Sequence, residues 1–203
     1  SSAASDVYKR QNLMSAFLGP VHYWLYRKIQ YQEQLNQKIL KRICPQLNEI
    51  VAQECGTIQD GSLEEIIDHQ AIHQWLSMEL MIVEKRFAFI VEHIEKSDFE
   101  EVREVLFEAG KEISINENYH NCIELFKVIN NYLIDGMPCD KGIKIMSQEE
   151  NQIIYEYNEM VHQYLDFEIF QKYRKAWLDG VLSDSHIVFS RLNYNTYMLK
   201  MEE

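Results

Sequence analysis

The chain is poor in the residues that punctuate or cross-link a fold. Its 203 residues include only seven glycines, three prolines and four cysteines. So few breakers leave little material for the frequent turns of an all-β or α/β chain, and they predict long helices. Cys44, Cys55, Cys122 and Cys139 are widely spaced, with no C-x-x-C pair, which excludes a zinc ribbon and a disulfide framework and predicts free thiols. No apolar run approaches the roughly 20 residues that span a bilayer, and no basic-apolar-small pattern opens the chain, so a cytoplasmic protein is expected. Basic charge is also scarce. A formal net charge of -12 argues against general binding to nucleic acid or anionic lipid, both of which need a cationic surface to displace counterions.

What is present is apolar and aromatic mass: 46% hydrophobic residues and 12% aromatic ones, enough for a sizeable core. No linker rich in Pro, Gly or Ser divides residues 12–203, which read as one domain. Residues 1–11 stand apart. Ser1 to Gln11 are similar to the in-frame translation of a sequencing-library transposon adapter, which implies a metagenomic source and a native start at Met14 or further upstream.

Gly19-Pro20 suits a helix start, and the pattern then runs to Ile43 before Pro45. A short helix is expected from Pro45 to Glu54, closed by Gly56. Ser62 with Glu65, Ser97 with Glu100 and Ser147 with Glu150 have capping-box spacing. They predict helices over 66–94, with a break near Asp68, and over 98–109 and 148–167. Further helices are expected over 116–135, ending at Gly136, and over 168–182, with Met137 to Gly142 as a tight connection. The segment after Ser183 has no readable period, although Tyr194, Tyr197, Met198 and Leu199 suggest that it docks. The expected fold is therefore all-α, a bundle of four long helices with two or three shorter ones. Trp24, Leu25, Ile29, Leu35, Ile72, Leu76, Leu80, Val83, Phe87, Phe126, Tyr157 and Tyr164 are its predicted core.

One internal echo stands out. His22-Tyr23-Trp24-Leu25 and His73-Gln74-Trp75-Leu76 share H-x-W-L, and Glu33 and Glu84 follow each histidine at the same interval. Similar packing of two core helices is the simplest reading, ahead of an ancient duplication.

The candidate chemistry lies with histidine. Glu117 with His120, and Glu159 with His162, match the Glu-x-x-His spacing by which ferritin-like bundles hold two irons. Helical phase turns both pairs away from the apolar face, and the glutamate-rich composition makes the spacing common. His69 and His73, at i and i+4, instead flank the apolar stripe of Ile72, Leu76, Leu80 and Val83, and His22 holds the matching margin of the first helix. In this spacing the chain resembles hemerythrin-like and DinB-like bundles, whose histidine-bearing helices hold a metal. The resemblance implies His22, His69 and His73 as ligands of iron, zinc or manganese, with Glu or water completing the shell. It lacks the second H-x-x-x-H or H-x-x-x-E of hemerythrins, for which only His162 and Asp166 stand in.

Cys139, between Pro138 and Asp140 in a tight turn, is a poor nucleophile because its acidic neighbour disfavours the thiolate. No phosphate loop, nucleophile elbow or Ser-His-Asp order is present, so catalysis is not expected. The alternative to a metal protein is a non-catalytic module for a small ligand, a protein partner or a second copy. It would use aromatics in excess of a core stripe: Tyr23, Trp24, Tyr26 and Tyr31, and Tyr155, Tyr157, Tyr164, Phe167, Phe170, Tyr173 and Trp177.

Overall fold

The computed structural model describes residues 17–135 and 137–202, with backbone only at Pro138, Glu159 and His162. The adapter-like residues 1–11, Met14 and the expected helix stop at Gly136 lie outside the described residues. The chain runs α1 (Pro20–Ile43), α2 (Asn48–Cys55), α3 (Leu63–Ile66), α4 (Ile72–His93), α5 (Phe99–Asn116), α6 (Cys122–Tyr132), β1 (Ile143–Gln148), β2 (Gln152–Tyr157), α7 (Phe167–Val181), β3 (Ile187–Arg191) and β4 (Thr196–Met201). Among the described residues no helix is long and apolar enough to cross a membrane.

The all-α expectation is overturned by a four-stranded antiparallel sheet in the order β1-β2-β4-β3. The first half of the region expected as a helix over 148–167 belongs to a hairpin, with Glu149 and Gln152 closing its turn by two backbone hydrogen bonds. The reason is a degenerate apolar pattern. Ile153, Tyr157, Met160 and Val161 satisfy a helical period, but Ile153, Tyr155 and Tyr157 also alternate, and the sheet buries these three on one face. β-branched and aromatic side chains favour that outcome. Beyond Ser183, Ile187–Arg191 and Thr196–Met201 form the second hairpin, so the segment does dock, as strands. Register sets Tyr155 opposite Tyr197 and Ile153 opposite Leu199. Phe126 of α6 packs on Tyr155, ring centroids 5.1 Å apart.

The helical part follows the sequence more closely. α1, α2 and α7 lie within a residue or a few of their expected spans, whereas α5 runs on to Asn116 and α6 is confined to Cys122–Tyr132. The expected helix over 66–94 is interrupted from Ile67 to Ala71, and α4 starts at Ile72. α1 and α4 run side by side in the same direction: His22 meets His73, Glu33 pairs with Arg86, and the Asn36 amide donates to the Val83 carbonyl. The H-x-W-L echo is therefore a pair of parallel helices presenting matched turns. Nine of the twelve expected core residues are buried, while Trp24, Phe87 and Tyr164 are half-buried. α5 and α7 cross backbone to backbone through Gly110 and Gly180.

Candidate functional site

The strongest concentration of buried polar groups lies where α7, the end of α6 and the sheet meet. Asp166 caps α7 by accepting from the N–H groups of Glu168 and Ile169, so it serves the helix end instead of a ligand shell. Two turns on, Arg174 is buried, its guanidinium lying over the rings of Phe170 at 4.6 Å and Tyr157 at 4.8 Å. It donates to Asp135 Oδ1 at 2.6 Å, to the Ile134 carbonyl at 2.9 Å and to the Tyr157 hydroxyl. Asp135 is held from behind by Gly142, where a Cβ would lie 2.0 Å from the Asp135 carbonyl oxygen. Burial works against the Arg174 charge, but Asp135 and Tyr157 more than offset it, and its pKa stands above the ordinary value. Burial pushes the Tyr155 and Tyr157 hydroxyls up as well, so both are neutral at physiological pH.

A guanidinium has five N–H donors, and three are committed here to Asp135, Ile134 and Tyr157. Two remain. Arg174 lines two narrow cavities of about 30 and 40 Å³, whose shared walls also include Gln32, Phe87 and Phe170. The first shares Glu84 and Tyr164 with a surface groove of about 470 Å³. That groove is lined by Met78, Leu80, Met81, Met160 and Val161, with Gln74, Ser77, Asn158, Gln163 and the acidic Glu84 and Asp140 among them. The adjoining spaces thus run from methionine-rich surface to a buried cation.

Lys28 of α1 forms the far side of the same centre. It is buried beneath Trp24, its Nζ 4.1 Å from the ring and 3.5 Å from Asn130 Oδ1, with no carboxylate in ion-pair range among the described residues. Burial lowers its pKa to about 8, with Asp135 pulling upward and Arg174 downward. The unfolded chain holds this proton to about 10.4, so between those values it binds more protons than the folded chain and stability rises with pH. Below about 8 the penalty is complete. Replacing Lys28 by Met is expected to raise stability at neutral pH by on the order of 2–3 kcal/mol and to flatten the rise between pH 8 and 10, measured by urea unfolding across that range.

The three histidines proposed as ligands do not converge. His69 falls in the non-helical stretch before α4, which removes the i,i+4 geometry with His73, and its Nε2 lies 2.8 Å from the Glu64 carbonyl. His22 and His73 do meet, Nε2 to Nε2 at 3.2 Å. The Gly19 N–H donates to His22 Nδ1 at 2.9 Å, which places the neutral ring's proton on Nε2, where it donates to His73. Burial and then His73 hold His22 below its usual pKa.

Glu117 and His120 lie beyond the end of α5, outside any helix, so their spacing carries no helical meaning; the side chains of Glu159 and His162 lie outside the described ones. Among the described residues no three His, Cys, Asp or Glu side chains gather around a point that a metal ion would fill. All four cysteines are free thiols, and burial together with Asp140 pushes the Cys139 thiol up. The aromatics of the two crowded segments are all buried or half-buried, and Tyr164 and Phe170 border the cavities.

Sequence reasoning missed Arg174, Asp135 and Lys28. Their signal was weak but present: Lys28 and Arg174 are charges at apolar phases of their helices, with Ile29 beside one and Tyr173 and Trp177 around the other. Comparisons with protein-family models, with curated proteins and with solved structures find no match.

Proposed function

We propose that the protein is a binding module for a small organic acid, whose carboxylate sits against Arg174 and whose apolar body lies in the groove beside α4. The observation that carries this reading is the buried guanidinium, with two N–H donors that have no partner among the described residues, bordering an aromatic-walled cavity. Paired N–H groups match a carboxylate in geometry and charge. The inner cavities, at about 30 and 40 Å³, have room beside Arg174 for a small head group and nothing bulkier. The outer groove falls in the range that small-molecule sites occupy, and methionines adapt to an apolar body without fixing its shape.

A metal on His22 and His73 is less well supported. Their 3.2 Å separation suits two ligands on one ion, but a ligating histidine normally donates from its other ring nitrogen, and His22 accepts there.

Thermal-shift and calorimetric titration with aliphatic and aromatic monocarboxylic acids, with and without a 2-amino group, and with their primary amides, test the proposal. Acids are expected to raise Tm while the matching amides do not. Ser77→Trp, which fills the groove and leaves the buried network intact, is expected to abolish the response. Equal responses to acids and amides, or none to either, would overturn the reading.

A further inference from the structure

The cavity beside Arg174 has a second charged wall, and that wall narrows the class of ligand. Glu84 of α4 lines the same inner cavity of about 30 Å³ as Arg174, and it also lines the outer groove, so it stands where the two spaces adjoin. In so small a space a carboxylate set against the guanidinium lies close to the Glu84 carboxylate as well. A bare monocarboxylate is therefore attracted by one wall and repelled by the other, and the surrounding Phe87, Ile134, Leu165 and Phe170 screen that repulsion poorly. Arg174 moreover already shares its charge with Asp135, so it does not fully offset the repulsion.

A ligand with an ammonium beside its carboxylate removes the conflict. Its N–H groups face Glu84, a carboxylate with about four acceptor sites, and the side-chain carbonyl of Gln32 on the same cavity wall. Gln32 sends its amide N–H to Asn36 Oδ1 at 3.2 Å, and its Oε1 has no partner among the described residues. Both charged groups of a 2-amino acid hang on one carbon, which matches two opposite charges around one narrow space. Outside, Met78 (51% exposed), Met81 and Met160 (69% exposed) offer cover to an apolar side chain, while Asp140 and Glu84 turn away an acidic one. We propose, resting on the carboxylate reading above, that the ligand is a 2-amino acid with an apolar side chain. Its carboxylate sits at Arg174, its ammonium at Glu84 and its side chain on the methionines. Three different contacts around one carbon also select one enantiomer.

Calorimetric titration of the full chain with L-leucine, D-leucine, 4-methylpentanoate, leucinamide and L-glutamate is the test. One enantiomer of leucine is expected to bind at least about tenfold more tightly than 4-methylpentanoate, which lacks only the amino group, and L-glutamate is expected not to bind. Glu84→Gln is expected to bring leucine and 4-methylpentanoate to within about threefold of each other. The comparison of ligands on wild-type protein stands whether or not that variant folds. Binding of 4-methylpentanoate as tight as that of leucine, or a preference for leucine retained by folded Glu84→Gln, would overturn this inference and leave the carboxylate reading in place. Leucinamide binding as tightly as leucine, or binding of none of the acids, would overturn the carboxylate reading and this inference with it.

Discussion

Replacing Gly110 by Ala lowers stability by about 3–4 kcal/mol or more, beyond the usual 1–3 kcal/mol of an overpacked core, and Gly110→Val does not fold. In an exposed helix the same change stabilises by about 1 kcal/mol, because alanine loses less backbone entropy and is the better helix former. The sign reverses here because α5 and α7 touch through their backbones. A Cβ at Gly110 would lie 2.0 Å from the Trp177 carbonyl oxygen and 3.0 Å from the Val181 nitrogen, and one at Gly180 would lie 2.0 Å from the Phe107 carbonyl oxygen. Those neighbours are main-chain atoms of two long helices, so relief requires a whole helix to move. Moving α7 displaces Trp177, whose indole N–H donates to Tyr31 of α1 at 2.8 Å, and loosens α1 as well. Urea unfolding of Gly110→Ala, Gly180→Ala and the double variant measures this. The double variant is expected to fall short of the sum of the singles, since one displacement relieves both clashes. A stability within 1 kcal/mol of wild type for Gly110→Ala would mean that the helices do not cross so closely.

The contrast between α1 and β2 shows what could be read from the sequence. α1 has a single usable period, a Gly-Pro start and a proline just after its end, so local chemistry and packing give the same answer. In β2, the run Gln152-Ile-Ile-Tyr-Glu-Tyr157 fits both periods, and the partner strand that decides between them, β4, lies some forty residues downstream. Ser147-x-x-Glu150 was equally ambiguous, since the polar run that caps a helix also turns a hairpin. The histidine site divides in the same way. His22 and His73 meet because parallel α1 and α4 present matching turns, a relation visible as the H-x-W-L echo. His69 was misplaced because Leu63–Ile66 closes as one short helix and α4 starts only at Ile72. The Arg174 centre was harder to read, because its three charges come from α1, α7 and the loop after α6, and no local spacing links them.

That centre gives the second large effect. Arg174→Met leaves the buried Asp135 without its guanidinium, and Asp135→Asn leaves the buried Arg174 without its paired carboxylate; each is expected to lose about 3–5 kcal/mol. The pair itself is not a large source of stability, because removing both charges from water offsets most of their attraction. The double variant Arg174→Met/Asp135→Leu is therefore expected to recover much of the loss while failing to bind any organic acid, which separates the structural role of the pair from its use. Lys28 reports on the electrostatics independently, since Asp135 raises its pKa from burial's low value and Arg174 lowers it. In Arg174→Met its titration moves up from about 8, because the repelling guanidinium is gone while Asp135 stays; in Asp135→Asn it moves down. Carbon-13 NMR of the reductively dimethylated amine follows both shifts. Opposite displacements in the two variants are the signature of three charges sharing one low-dielectric centre, and displacements of the same sign would place Lys28 outside it.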